Sequence, residues 1–128
     1  MKTTLLIFLS ALVLSCAHKT YPTNGETIYK TGKNKQGQKL LDKSRSDLGF
    51  ISSCQACHGK QGKRNPDCII KWSYLSDASK YTVPYNDSLF FRFLDLDEKS
   101  NGNHALTGVH WNMSNSDKLD LIAYLKNL

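Results

Sequence analysis

Residues 54–58 read Cys-Gln-Ala-Cys-His, and this pentapeptide constrains the chain more than any other stretch of it. Two thiols with two residues between them can bond together to the two vinyl groups on one edge of a porphyrin. The next residue then lies where its imidazole reaches the iron, and C-x-x-C-H is the arrangement for c-type haem attachment. A redox dithiol of the same spacing needs no histidine in that place. Half of a zinc site would need a second C-x-x-C, and the chain has none. The motif therefore predicts one haem c, with Cys54 and Cys57 as its thioether residues and His58 as the proximal iron ligand. A small domain buries a limited fraction of its surface, and an enclosed haem would add apolar contact that the side chains alone lack.

The amino terminus speaks to the compartment. Lys2 precedes an apolar run from Leu5 to Leu14 that is too short to span a bilayer comfortably and has the length of a secretory signal. Residues 1–15 are therefore expected to be an export signal. Val13-Leu14-Ser15-Cys16 resembles a bacterial lipobox, which implies that Cys16 is acylated and becomes the first mature residue. Cleavage without acylation is the alternative, because Leu14 is bulkier than that pattern prefers, and an ordinary buried or disulfide-bonded Cys16 is a third reading. The polar stretch that follows predicts a tether over 16–24 and a single domain over 25–128.

Composition narrows the class further. A chain of 128 residues with 40% hydrophobic and 22% charged residues suits one globular domain, which excludes a disordered tail, a collagenous chain and a multi-pass membrane protein. Lys plus Arg at 17 against Asp plus Glu at 11 gives +6. That is a moderate excess and not the dense basic stripe of a nucleic-acid binder, so no nucleic-acid partner is expected. The cluster Lys30, Lys33, Lys35, Lys39, Lys43 and Arg45 reads as a solvated face or as a surface that steers acidic partners.

The periodicities are helical. Leu121, Ile122, Leu125 and Leu128 recur at steps of three and four, with Ser116 as the expected cap and Asp117 in the first turn. Asn86 or Asp87 can start a second helix whose stripe is Leu89, Phe90, Phe93 and Leu94, before Asp95, Asp97 and Glu98 return the chain to water. No stretch alternates for long enough to predict a large sheet, so the fold class is all-α.

From Gly25 to Leu128 the chain resembles the class I c-type cytochromes. Gly25-Glu26-Thr27-Ile28-Tyr29 is similar to that family's first helix, Cys54–His58 with Gly59 and Gly62 to its haem-attachment turn, and Asp120–Lys126 to its terminal helix. The resemblance implies a few helices wrapped around one covalent haem. It departs from the family in a long Lys/Gly/Gln-rich insertion over 30–53, whose role the sequence does not reveal.

The sixth iron ligand is open. Met113 is the only methionine once the signal is removed, and it lies between the Phe-rich helix and the terminal helix, where relatives supply a sulfur. Aligning Asp120–Lys126 with those relatives instead puts Gly108 at the ligand position, flanked by His104 and His110. Met113 is the first candidate, His110 and then His104 are the alternatives, and a five-coordinate iron comes last. Trp111 can cover the haem or pack in the core. Cys68, left over when the other three cysteines are assigned, reads as a buried apolar residue beside Ile69 and Ile70, with an intermolecular disulfide or a redox adduct as the alternative.

These readings converge on an exported, membrane-anchored one-electron carrier on the periplasmic side, with redox proteins as partners and no catalytic residues of its own. The rival is a haem-based ligand binder, sensor or peroxidase-like protein with an open distal site. A structural lipoprotein whose C-x-x-C is a plain disulfide is a third class.

Overall fold

The computed structural model describes residues 18–128, so the expected export signal and Cys16 lie outside the described residues. Helix α1, Asn24–Thr31, begins where the Thr23 hydroxyl accepts from the Glu26 N–H at 3.0 Å, and stops at Gly32, whose φ of 68° only glycine adopts without strain. Helix α2 is the single turn Cys54–His58, and α3 is the short turn Trp72–Leu75. Helix α4, Asp87–Leu96, is capped by the Asn86 side chain accepting from the Leu89 N–H at 2.9 Å. Helix α5 spans Asn115–Lys126.

The last helix starts earlier than Ser116. Ser114 is its cap: the Ser114 hydroxyl accepts from the Asp117 N–H at 3.1 Å, while the Asp117 carboxylate accepts from the Ser114 N–H at 3.3 Å. This reciprocal box satisfies two amides at once, which Ser116 could not do from within the first turn. Among the described residues there are helices, loops and isolated bridges but no strands, so the fold is all-α.

Helices α1 and α5 form the most extensive helix pair. They cross at Gly25, where a Cβ would lie 1.9 Å from the Asp120 carbonyl oxygen, so only a hydrogen fits. One turn further on, the rings of Tyr29 and Tyr124 meet at 5.2 Å. Ile28, Tyr29, Leu40, Leu121, Ile122 and Leu125 are essentially fully buried and make the centre of the core.

The 30–53 insertion is built into this core. Lys33 and Lys39 pair across a tight turn, Leu40 is wholly buried, and Leu41 bridges to Trp111. Backbone bonds run from Asn112 to the Leu40 carbonyl at 2.7 Å, from Asp42 to the His110 carbonyl at 2.9 Å and from Asp47 to the Gly108 carbonyl at 3.0 Å. The residues before α1 also touch the domain. His18 donates to the Lys35 carbonyl at 3.0 Å, the Tyr21 N–H reaches the Thr27 hydroxyl at 2.9 Å, and the Lys30 amine sits 4.4 Å over the Tyr21 ring. Two members of the basic cluster are thereby tied down, since Lys30 also pairs with Glu26 at 2.7 Å and Lys35 donates to the Pro22 carbonyl at 2.6 Å.

Candidate functional site

One turn of helix places Cys54, Cys57 and His58 on the wall of a single cavity of about 280 Å³. The turn is held from both sides. Below it, the Tyr29 hydroxyl donates to the Gly59 carbonyl at 2.6 Å, so the first helix fixes the end of α2. Beyond it, the chain loops back through Gly62, Arg64 donates to the Ala56 carbonyl at 2.8 Å, and the loop closes between Ile70 N–H and the Gly62 carbonyl at 2.8 Å.

That loop delivers the Cys68 carbonyl to His58, whose Nδ1 donates to it at 2.8 Å. The bond fixes the ring and the tautomer, leaving Nε2 as the unprotonated nitrogen. Burial lowers the His58 pKa, with the Cys68 bond opposing it more weakly, so the ring is neutral at neutral pH and able to ligate a metal. Burial pushes the Cys54 thiol up to about 12, and the neighbouring Cys57 adds to the rise. A redox-active dithiol needs a lowered pKa on its attacking sulfur, and Cys54 is shifted the opposite way.

Cys68 corrects the expectation of a buried residue. It is exposed and stands at the cavity, held there because its carbonyl, not its side chain, has the structural task.

The walls are apolar and come from four parts of the chain. The insertion contributes Leu41, Leu48 and Ile51; α4 contributes Phe90, Phe93 and Leu94; α5 contributes Leu121 and Leu125; and the 107–111 segment contributes Val109 and Trp111. Behind α4, Trp72 meets Phe90 edge-on at 5.7 Å and Tyr85 meets Phe93 at 6.3 Å, which stiffens that wall. One corner is polar: the Asp97 carboxylate accepts from the Thr107 N–H at 2.9 Å and from its hydroxyl at 2.6 Å. Asp97 therefore does not simply return the chain to water. It is half-buried at the cavity, because its partner is the incoming loop.

Two thiols, a neutral histidine with its outer nitrogen anchored, and apolar walls are a donor set and a surface that fit a haem c. The other candidate ligands are placed elsewhere. Met113 is buried in the cluster that contains Leu40 and Leu121 and does not line the cavity, and neither do His104, which is exposed, nor His110. Gly108 turns toward the insertion, where a Cβ would lie 3.6 Å from that of Asp47. Trp111 lines the cavity.

The wall residues Leu41, Leu48 and Ile51 and the Asp97–Thr107 clamp escape a reading by motif. The signal for the first three is faint but present, as two short apolar clusters, Leu40-Leu41 and Leu48–Ile51, in an otherwise polar segment. No family model, curated protein or solved structure matches this chain.

Proposed function

We propose that this chain is a monohaem c-type cytochrome, built on the class I cytochrome c fold, that accepts and passes on one electron. In this reading it is exported and held on the periplasmic side of a bacterial membrane through acylated Cys16, with redox proteins as its partners. The observation that carries the proposal is the 2.8 Å bond from His58 Nδ1 to the Cys68 carbonyl, with Cys54 and Cys57 on the same cavity wall. A bound haem would supply exchange between ferrous and ferric iron. The chain's own part is to hold one edge of the ring by two thioethers, to orient the His58 imidazole and to keep water from the ring faces with Phe90, Leu94 and Leu121.

Expression with a haem-attachment system tests this directly. The full chain should retain haem through acid–acetone extraction, and the Cys54→Ala/Cys57→Ala variant should release it. An unmodified chain without covalent haem would end the proposal and leave a structural lipoprotein.

A second reading, a haem-based binder of small ligands, is favoured by one observation. Among the described residues lining the cavity there is no methionine, and no histidine besides His58.

A further inference from the structure

The reason no histidine besides His58 and no methionine among the described residues lines the cavity lies in how two segments pair. Thr107, Val109 and Trp111 line the cavity, while Gly108, whose φ of 66° turns the backbone between its neighbours, and His110 do not. The register is pinned along its length. The Gly108 and His110 carbonyls accept from Asp47 and Asp42, the His110 N–H donates to the Ser46 hydroxyl at 2.9 Å, and Leu41 bridges Trp111. At the other end Asp97 clamps Thr107.

A slip by one residue would bring His110 inward, but it would break these bonds and turn Val109 and Trp111 out of an apolar wall. Met113 is equally constrained. It is buried immediately before the Ser114–Asp117 box, so moving it would uncap α5 and open the core. Cys68 is joined to the His58 side through its carbonyl. The insertion thus acts as a splint on the segment in which a sixth ligand was expected.

We propose, resting on the haem reading above, that His58 is the only side chain among the described residues bound to the iron. The remaining axial position is then a site for a small uncharged ligand of the carbon monoxide or nitric oxide class. The walls select that class. Leu41, Val109 and Trp111 make them mainly apolar, the Thr107 hydroxyl is already committed as a donor to Asp97, and the Asp97 carboxylate repels anions. Electron uptake remains part of the device, because carbon monoxide binds ferrous and not ferric iron, so a redox partner would set whether the site can fill with that ligand.

The experiment uses the full chain carrying covalent haem, reduced with dithionite and mixed with carbon monoxide in a stopped flow. A five-coordinate, high-spin ferrous spectrum and a fast phase whose rate rises linearly with carbon monoxide are expected. A low-spin ferrous spectrum with a slow, concentration-independent phase would overturn the proposal, and its loss in Met113→Ala, His110→Ala or Cys68→Ala would identify the ligand.

Parity supplies an independent arm. Val109→Met, on an inward position, should convert the haem to low spin and abolish the fast phase, whereas His110→Met, on an outward position, should change neither. Equal effects, or an effect of His110→Met alone, would refute the inward–outward assignment. Failure of the unmodified chain to hold covalent haem would defeat the haem reading and this proposal with it, whereas a six-coordinate covalent haem defeats this proposal alone.

Discussion

Asp97 has a φ of 54°, in the left-handed region that a residue with a Cβ seldom enters, and its carboxylate receives both the N–H and the hydroxyl of Thr107. The backbone strain is held in place by those two charge-assisted bonds, so truncating the side chain removes what offsets it. Asp97→Ala should lower stability by about 1.5–3 kcal/mol, the range for hydrogen bonds to a charged group, measured as a fall in the urea midpoint. At the level of single residues the sequence was unevenly legible. Cys54, Cys57 and His58 stand in one contiguous motif, and a local spacing is enough to place them on one wall. Asp97 and Thr107 are ten residues apart in the chain and meet only because α4 ends and the loop turns back. Nothing in the local pattern separates that aspartate from Asp95 two residues earlier, which pairs instead with Lys118 of α5.

Helix α1 approaches α5 most closely at Gly25. Gly25→Ala would drive a methyl into the Asp120 carbonyl, with 1.9 Å between centres, and the helices must separate to admit it. The expected loss lies at or above the upper end of the roughly 1–3 kcal/mol typical of overpacking, read from thermal or urea unfolding.

Tyr29, on the same helix, makes a pH-dependent contribution. Burial raises its pKa well above the ordinary 10.0, so the folded state keeps a proton that the unfolded state releases above about pH 10. The stability associated with that proton is complete below that pH and is lost as pH rises beyond it. Tyr29→Phe should cost about 1 kcal/mol at neutral pH, for the bond to Gly59, and should flatten the alkaline fall. Part of the slope will remain, because Tyr81, Tyr85 and Tyr124 are raised by burial as well. Urea midpoints compared at about pH 7 and about pH 11 separate the two effects.

Helix type and position were readable from periodicity, since both apolar stripes bury as their spacing predicts. The start of α5 was misplaced by two residues, because the reading overlooked that Ser114, and not Ser116, stands three residues before an acidic side chain, the spacing of the reciprocal box with Asp117. The insertion was opaque because its partners lie 61 to 72 residues away, in the 107–112 segment.

For the whole molecule, the proposed anchor makes its own prediction. Cys16→Ala should move the protein from the membrane fraction to the soluble one, since stable anchoring takes more than one acyl chain and an acylated lipoprotein cysteine carries several. Equal recovery of both forms with membranes would argue for another mode of attachment.

The contact between His18 and the turn at Lys35 and Gly37 then acquires a meaning for how such a domain moves. Cys16 precedes His18 by two residues, and two residues of fully extended chain reach about 7 Å. While His18 holds that turn, acyl chains on Cys16 would give the domain no leash. It would ride at the height of the headgroups with one flank always downward, sampling the plane of the bilayer by lateral diffusion. A partner standing well above that plane would have to descend to meet it.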